Sequence, residues 1–287
     1  MRFESPDTIE QAVELLNTCD GISRVLAGGT DVLVQLRLAL VEPELIVDIK
    51  HIAGMRDITA EDGGFRIGAA VSGAEMGEHV ELVALWPGVV EAMELIGSTQ
   101  VQGRATLAGN LCNASPAADS VPAMVVANAV VTISGPNGAR ECPVADIVTG
   151  PGKTSLGKGE IITSIYLPAR VNNSGDAYLR FIPRTEMDIA VSSAGVSLTI
   201  DSDGVVTHAC VSLGAVAPTV LVVDDAAKAI IGTKLDDDAI ATLQAACSAA
   251  CNPIDDKRGT VEFRTKTAGV MAKRAALIAY SRAGGSK

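Results

Sequence analysis

The feature that most restricts the fold of this chain is a glycine pair that interrupts an apolar run near the N-terminus. The run ends at Ala27, Gly28 and Gly29 follow, and an apolar pattern with helical spacing resumes shortly afterwards. This order predicts a strand, a tight turn and a helix. The first N–H groups of such a helix lack intrahelical partners, so the turn can hold a phosphate or pyrophosphate. A corner capped by Thr30 or Asp31 that binds nothing is the open alternative.

Composition limits what the chain can bind. The formal net charge of −11 argues against a nucleic-acid partner, because such partners are held by Lys and Arg at phosphates. The most apolar segment, residues 121–133, is shorter than the roughly 20 residues of a membrane span, and the N-terminus lacks the layout of a secretory signal. Six scattered cysteines without a CxxC pair disfavour iron–sulfur and zinc sites, so we expect a cytoplasmic protein without a metal of its own.

Hydrophobic spacing predicts an α+β chain with a break near residues 168–175. We expect helices over 7–16, 32–40, 73–83, 88–96, 236–250 and 259–283. Strands are expected over 24–27, 45–48, 65–69, 161–167, 177–183, 190–200 and 205–213, the last three as an antiparallel meander. Residues 97–119, rich in Gly, Ser, Thr and Asn, are expected to form a long loop that serves as a ligand wall.

Several catalytic motifs are missing. Gly152, Lys153 and Thr154 imitate the end of a P-loop, but Ile147 occupies the position of the required upstream glycine. No GxGxxG, HExxH, GxSxG or paired-carboxylate pattern occurs, so no catalytic side chain is assigned. A redox cofactor that supplies its own chemistry is therefore favoured.

Three ordered motifs carry a family resemblance. They are residues 27–31 (AGGTD), 106–111 (TLAGNL) with 114–119 (ASPAAD), and 180–190 (RFIPRTEMDIA), and residues 264–266 with 273–275 add a match in the final helix. The chain resembles the FAD-binding medium subunit of the molybdenum hydroxylases, the xanthine dehydrogenase and carbon monoxide dehydrogenase family. The resemblance implies a two-lobed, vanillyl-alcohol-oxidase-like (PCMH-type) FAD domain over 1–171, with lobes of about 1–52 and 53–171. A smaller C-terminal domain of antiparallel sheet and helices, of the CO dehydrogenase flavoprotein type, is implied over 172–287.

The resemblance also implies where FAD contacts the chain. Its pyrophosphate is expected on the glycine turn and on the loop from Thr106 to Asn110, with Asn113 and Asp119 towards the ribose and adenosine, and Ile162 and Arg180 beside the flavin. The full set of implied FAD contacts is Val25, Leu26, Ala27, Gly28, Gly29, Thr30, Asp31, Val32, Thr106, Ala108, Gly109, Asn110, Asn113, Asp119, Ile162 and Arg180. Ala108 stands where many relatives have glycine, which is tolerable if its φ is negative.

The function implied by the resemblance is electron transfer within a heteromeric complex. A large molybdopterin-binding subunit and a small [2Fe-2S] subunit are the expected partners, and FAD passes electrons to an external acceptor. Two alternatives stay open: a stand-alone FAD oxidase or dehydrogenase of the same fold, and a non-enzymatic nucleotide-binding module or scaffold.

Overall fold

The structure, a computed structural model, describes residues 1–285, so residues 286–287 of the expected C-terminal domain lie outside it. The first lobe is a parallel three-stranded sheet in the order β1-β3-β2 with two helices. Its elements are β1 (Arg2–Glu4), α1 (Ile9–Thr18), β2 (Ser23–Leu26), α2 (Val32–Arg37) and β3 (Leu45–Asp48). Thr8 caps α1 by accepting a hydrogen bond from the Gln11 N–H, and the buried side chains of Ala12 and Leu16 face the core.

The second lobe is an antiparallel five-stranded sheet covered by short helices. Its strands are β4 (Ile58–Glu61), β5 (Gly64–Gly68), β6 (Val130–Gly135), β7 (Gly138–Pro143) and β10 (Ile161–Leu167), and β8 (Val148–Gly150) pairs separately with β9 (Lys153–Thr154). Its helices are α3 (Gly73–Glu78), α4 (Val80–Leu85), α5 (Pro87–Glu94), α6 (Thr99–Gln102), α7 (Leu107–Asn113) and α8 (Ser120–Val126), with a 3₁₀ turn over Val144–Asp146. The sheet order is β4-β5-β10-β6-β7, so β10 returns late in the chain to the centre.

The C-terminal part is an antiparallel four-stranded sheet covered by helices, as expected. Its strands are β11 (Ser174–Phe181), β12 (Ser192–Ile200), β13 (Val206–Gly214) and β14 (Leu221–Val222), in sequential order. The helices are α9 (Asp224–Ile230), α10 (Asp237–Ala250) and α11 (Val261–Arg282), and α11 packs on β11 and β12 through small buried residues such as Ala272, Ala275 and Ala279. Among the described residues, no helix has both the length and the hydropathy needed to cross a membrane.

Two local predictions were wrong. The helix expected over 73–83 is two helices, because His79 ends α3 and begins α4, where its Nδ1 accepts a hydrogen bond from the Leu82 N–H at 3.2 Å. The loop expected over 97–119 contains α6 and α7. Gly103 and Gly109 lower the helical propensity of this segment, but burial of Leu107 and Leu111 offsets that cost.

A buried carboxyl joins helix α5 of the second lobe to strand β11 of the C-terminal sheet. Asp176 on β11 is 1% exposed; its Oδ1 accepts a hydrogen bond from Arg170 Nη1 at 2.7 Å and its Oδ2 accepts one from the Gly88 N–H at 2.9 Å. The Arg170 guanidinium also stacks over the Trp86 ring at 4.6 Å. Burial raises the pKa of Asp176 to about 6, although Arg170 and Arg282 oppose the shift.

Candidate functional site

A cavity of about 840 Å³ lies between the two lobes. Its walls are the glycine turn of the first lobe and, from the second lobe, residues around α7 and the turn that precedes β10. The volume is in the range of pockets that hold cofactors and other small molecules. The fold therefore brings together segments that are about 80 and 130 residues apart in sequence.

The glycine turn contributes main-chain donors to this cavity. Gly28, Gly29, Thr30 and Asp31 all line it. Within residues 1–285, the N–H groups of these four residues donate to no other protein group. Gly29 has a φ of +82°, a conformation that other residues adopt at a cost. Four successive free N–H groups beside a cavity can bind an anion.

The predicted Thr106–Asn110 segment forms the opposite wall. Thr106 caps α7, because its Oγ1 accepts a hydrogen bond from the Gly109 N–H at 2.9 Å. Thr106, Ala108, Gly109 and Asn110 line the cavity. Ala108 lies inside α7 and has a negative φ, so alanine is tolerated at this position, where many relatives have glycine. Asn110 Oδ1 accepts hydrogen bonds from the Ser120 hydroxyl at 2.7 Å and from the Ser120 N–H at 3.3 Å.

A polar bridge joins the two walls. Asn113 Nδ2 donates to Asp31 Oδ1 at 3.1 Å, and Gln35 Nε2 donates to Asn113 Oδ1 at 3.2 Å. All three residues line the cavity. Burial raises the pKa of Asp31. Helix α2 buries none of its own residues, so this bridge supplies much of its attachment to the second lobe.

Asp119 and Arg180 pair with each other instead of lining the cavity. Arg180 Nη1 donates to Asp119 Oδ2 at 2.6 Å, and the Tyr178 hydroxyl donates to Asp119 Oδ1 at 2.7 Å. Burial raises the pKa of Asp119, while the Arg180 guanidinium opposes the shift. Arg180 Nε is buried and, among the described residues, finds no hydrogen-bond partner. The pair joins the start of α8 to β11 of the C-terminal sheet.

Four of the other predicted residues line the cavity and one does not. Val25, Ala27, Val32 and Ile162 line the cavity, whereas Leu26 is outside its wall. Leu26 Cδ1 would lie 2.8 Å from a Cβ placed on Gly29, so Leu26 packs directly beneath the turn.

Sequence reasoning missed part of the wall. Arg24, Cys112, Lys158 and Glu160 line the cavity, and so do Gly152 and Thr154 of the rejected P-loop imitation. Glu160 pairs with Arg140 at 2.8 Å, and this hydrogen-bonded pair lowers the pKa of Glu160 to about 2. The Cys112 side chain is exposed to the cavity, but surrounding protein raises its pKa to about 12. The Gly157-Lys158-Gly159 turn before β10 was a usable signal, since it also places two glycines close together next to an apolar run.

Two known families match consecutive parts of the chain. The family described as the FAD binding domain in molybdopterin dehydrogenase matches residues 1–170, and the CO dehydrogenase flavoprotein C-terminal domain matches residues 177–279. The chain is 34% identical to the carbon monoxide dehydrogenase medium chain of Afipia carboxidovorans, over 98% of this chain and 97% of that one. It is 30% identical to the putative xanthine dehydrogenase FAD-binding subunit of Escherichia coli, over 97% and 95%.

A solved structure has the same fold. One chain of the reconstituted CO dehydrogenase from Oligotropha carboxidovorans superposes with a TM-score of 0.94 at 32% identity, covering 98% of both chains. The likeness therefore includes both lobes and the C-terminal part.

Proposed function

The chain belongs to the family of FAD-binding medium subunits of the molybdenum hydroxylases, and on this basis we propose that it is the electron-transfer subunit of such a complex. FAD is its cofactor, and it is a flavoprotein subunit of an oxidoreductase. In this proposal, FAD supplies the redox chemistry, accepting electrons from the [2Fe-2S] clusters of a small subunit and delivering them to an external acceptor. The chain's own residues bind and orient the cofactor.

The free N–H groups of residues 28–31 are the observation that carries the proposal for the binding site. They line a cavity shared by both lobes and can bind a pyrophosphate by hydrogen bonds without a cationic cluster. This fits a chain whose net charge is −11. We assign the pyrophosphate to this turn and to the facing Thr106–Asn110 segment.

The remaining predicted contacts are assigned according to their positions. Ile162 and Asn113 line the cavity, which supports direct contacts with FAD. Asp119 and Arg180 are paired with each other, which favours an indirect role in which they fix the start of α8. The domain boundary is proposed at 171/172, supported by family matches that end at residue 170 and resume at 177.

Flavin content tests the assignment of the site. We expect the full chain, purified after expression with FAD, to show flavin absorption bands, and expect ADP to compete for rebinding of FAD to the apoprotein. Gly29→Val is expected to abolish FAD retention, because the turn requires a positive φ and the added side chain would press on Leu26 Cδ1, 2.8 Å from the Cβ position. A colourless wild-type protein that takes up no added FAD would contradict the proposed function.

The partners are a large molybdopterin-binding subunit and a small [2Fe-2S] subunit, since the named relatives are subunits of dehydrogenases. Leu33, Leu38 and Leu40, beside the cavity, expose more than half of their surface, which supports contact with another protein. We place the complex in the cytoplasm, supported by six cysteines that are all unpaired.

Co-expression with the genes of the two other subunits tests the complex. Co-purification of molybdenum, iron and flavin in one species is the expected result. A flavoprotein that remains alone and oxidises a substrate by itself would favour the stand-alone alternative.

A further inference from the structure

Asn110 is held in one orientation by Ser120. The main-chain N–H of Ser120 can only donate, so the Asn110 atom that faces it at 3.3 Å must be Oδ1. The Ser120 hydroxyl donates to the same oxygen at 2.7 Å. The two contacts use the acceptor end of the carboxamide and leave its NH₂ group for another partner.

The Asn110 NH₂ group is available on the cavity side. Asn110 lines the cavity, and within residues 1–285 its Nδ2 donates to no protein acceptor. In the part of the chain that the structure describes, Asn110 Nδ2 has no partner and is nevertheless not one of the fully buried unpartnered polar atoms, so it has exposed surface that solvent or a ligand can reach. A fixed NH₂ group of this kind recognises an oxygen or nitrogen acceptor on the bound molecule.

Ser120 is itself immobilised. It is fully buried and is the first residue of α8. The preceding residue, Asp119, is hydrogen-bonded by Tyr178 and Arg180 of the C-terminal sheet. A line of short contacts thus runs from β11 through Asp119 and Ser120 to Asn110 at the cavity wall.

We propose that Ser120 is a positioning residue for the cofactor: it locks the Asn110 carboxamide with its NH₂ group towards an acceptor atom of FAD. The inference rests on the proposed function, because it takes FAD as the ligand. Ser120 has no contact with FAD in this arrangement and acts only through Asn110.

The test is a double-mutant cycle on the full-length chain, measuring the dissociation constant of FAD by quenching of flavin fluorescence. Ser120→Ala removes the shorter of the two contacts and leaves only the main-chain N–H at 3.3 Å to hold the carboxamide. It is expected to weaken FAD binding by about tenfold, the effect of one lost hydrogen bond. Asn110→Ala is expected to weaken it at least as much. In the Asn110→Ala background, Ser120→Ala should have no further effect, because its action passes through the missing amide.

Ser212→Ala is the matched control. Ser212 is also fully buried, and its hydroxyl donates to the Pro122 carbonyl oxygen at 2.7 Å, two residues further along α8, without touching Asn110. It is expected to leave the FAD dissociation constant unchanged. An equal loss in Ser212→Ala, or a Ser120→Ala loss that persists in the Asn110→Ala background, would mean that Ser120 only supports the fold and would overturn the inference.

A pH profile gives a second, independent readout. Asn110→Asp replaces the NH₂ group by an oxygen that repels an acceptor, and the introduced carboxyl can donate again only when protonated. FAD affinity of this variant should therefore recover as the pH falls from about 7 towards 4, relative to the wild type at each pH. A flat profile would overturn the inference. If the wild type does not bind FAD, this result appears before any variant is compared. It would overturn the proposed function, and this inference along with it.

Discussion

Gly28 and Arg104 lie in direct main-chain contact across the two lobes. A Cβ atom placed on Gly28 would fall 1.9 Å from the Arg104 carbonyl oxygen, a separation that no side chain tolerates. Gly28 is therefore required for the contact between the two cavity walls. This requirement is separate from the need for a cofactor to approach the turn closely.

Gly28→Ala is expected to lower the free energy of unfolding by about 1–3 kcal/mol and to reduce FAD retention, because the lobes must separate to admit the methyl group. Denaturant unfolding and flavin content measure the two effects. Gly103→Ala is the control: it lies next to Arg104, and its Cβ would come no closer than 3.6 Å to another atom. A Gly28→Ala protein with wild-type stability and full flavin would contradict the steric account.

Asn113→Ala is expected to speed FAD release by about tenfold, since it removes both hydrogen bonds that attach α2 to the second lobe. The release rate can be followed as recovery of flavin fluorescence after dilution. Gln35→Ala removes only one of the two bonds and should give an intermediate rate. Equal release rates in all three proteins would show that the bridge does not retain the cofactor.

Arg180→Met is expected to destabilise the protein by about 3–5 kcal/mol, because it leaves the Asp119 carboxyl buried without its charged partner. The Arg180→Met/Asp119→Leu pair should recover part of this loss. If both residues act indirectly, any flavin that remains bound will keep the wild-type absorption spectrum. A shifted spectrum in the single variants would instead indicate direct contact with the flavin.

The contribution of Asp176 to the stability of the protein is expected to fall as the pH rises from about 4 to 6. Asp176 has a folded-state pKa of about 6, above the ordinary value of 3.8, so the folded state binds more protons than the unfolded state between these values. Stability from this group is complete below pH 3.8 and is lost as the pH rises through 6, by at most about 3 kcal/mol. Asp176→Asn should be less stable throughout, because its NH₂ group cannot accept one of the two hydrogen bonds that Arg170 and the Gly88 N–H donate to the carboxyl, but its stability should depend less on pH in this window. An unchanged pH dependence in this variant would contradict the assignment to Asp176.

The local features of the site were predictable from the sequence. The glycine pair identified the turn, because positive φ favours glycine, and Gly29 has φ of +82°. The resemblance identified the segment from Thr106 to Asn110 and implied that FAD lies between the lobes. Strand β10 was placed at its observed bounds, Ile161–Leu167, because β-branched and aromatic residues dominate this short run between Gly159 and Pro168.

Tertiary contacts were not predictable in this way. The Asp31–Asn113 bridge spans 82 residues, and no local pattern shows that these polar groups meet. Helix α7 was hidden by Gly109 and by polar side chains, since its formation depends on burial of Leu107 and Leu111. The pairing of Asp119 with Arg180 spans 61 residues, and no local pattern shows that these two side chains meet.

Tyr178 belongs by sequence to the C-terminal part, but its side chain is buried in the hydrophobic cluster of the two lobes and its hydroxyl donates to Asp119. The C-terminal part therefore contributes a residue to the core of the lobes, although the family matches of the two parts are separate along the chain. As a consequence, the halves are not interchangeable modules. A chimera that joins the lobes of this chain to the C-terminal part of a relative has to preserve Tyr178 and Arg180. Without them, Asp119 at the start of α8 loses its hydrogen-bond partners.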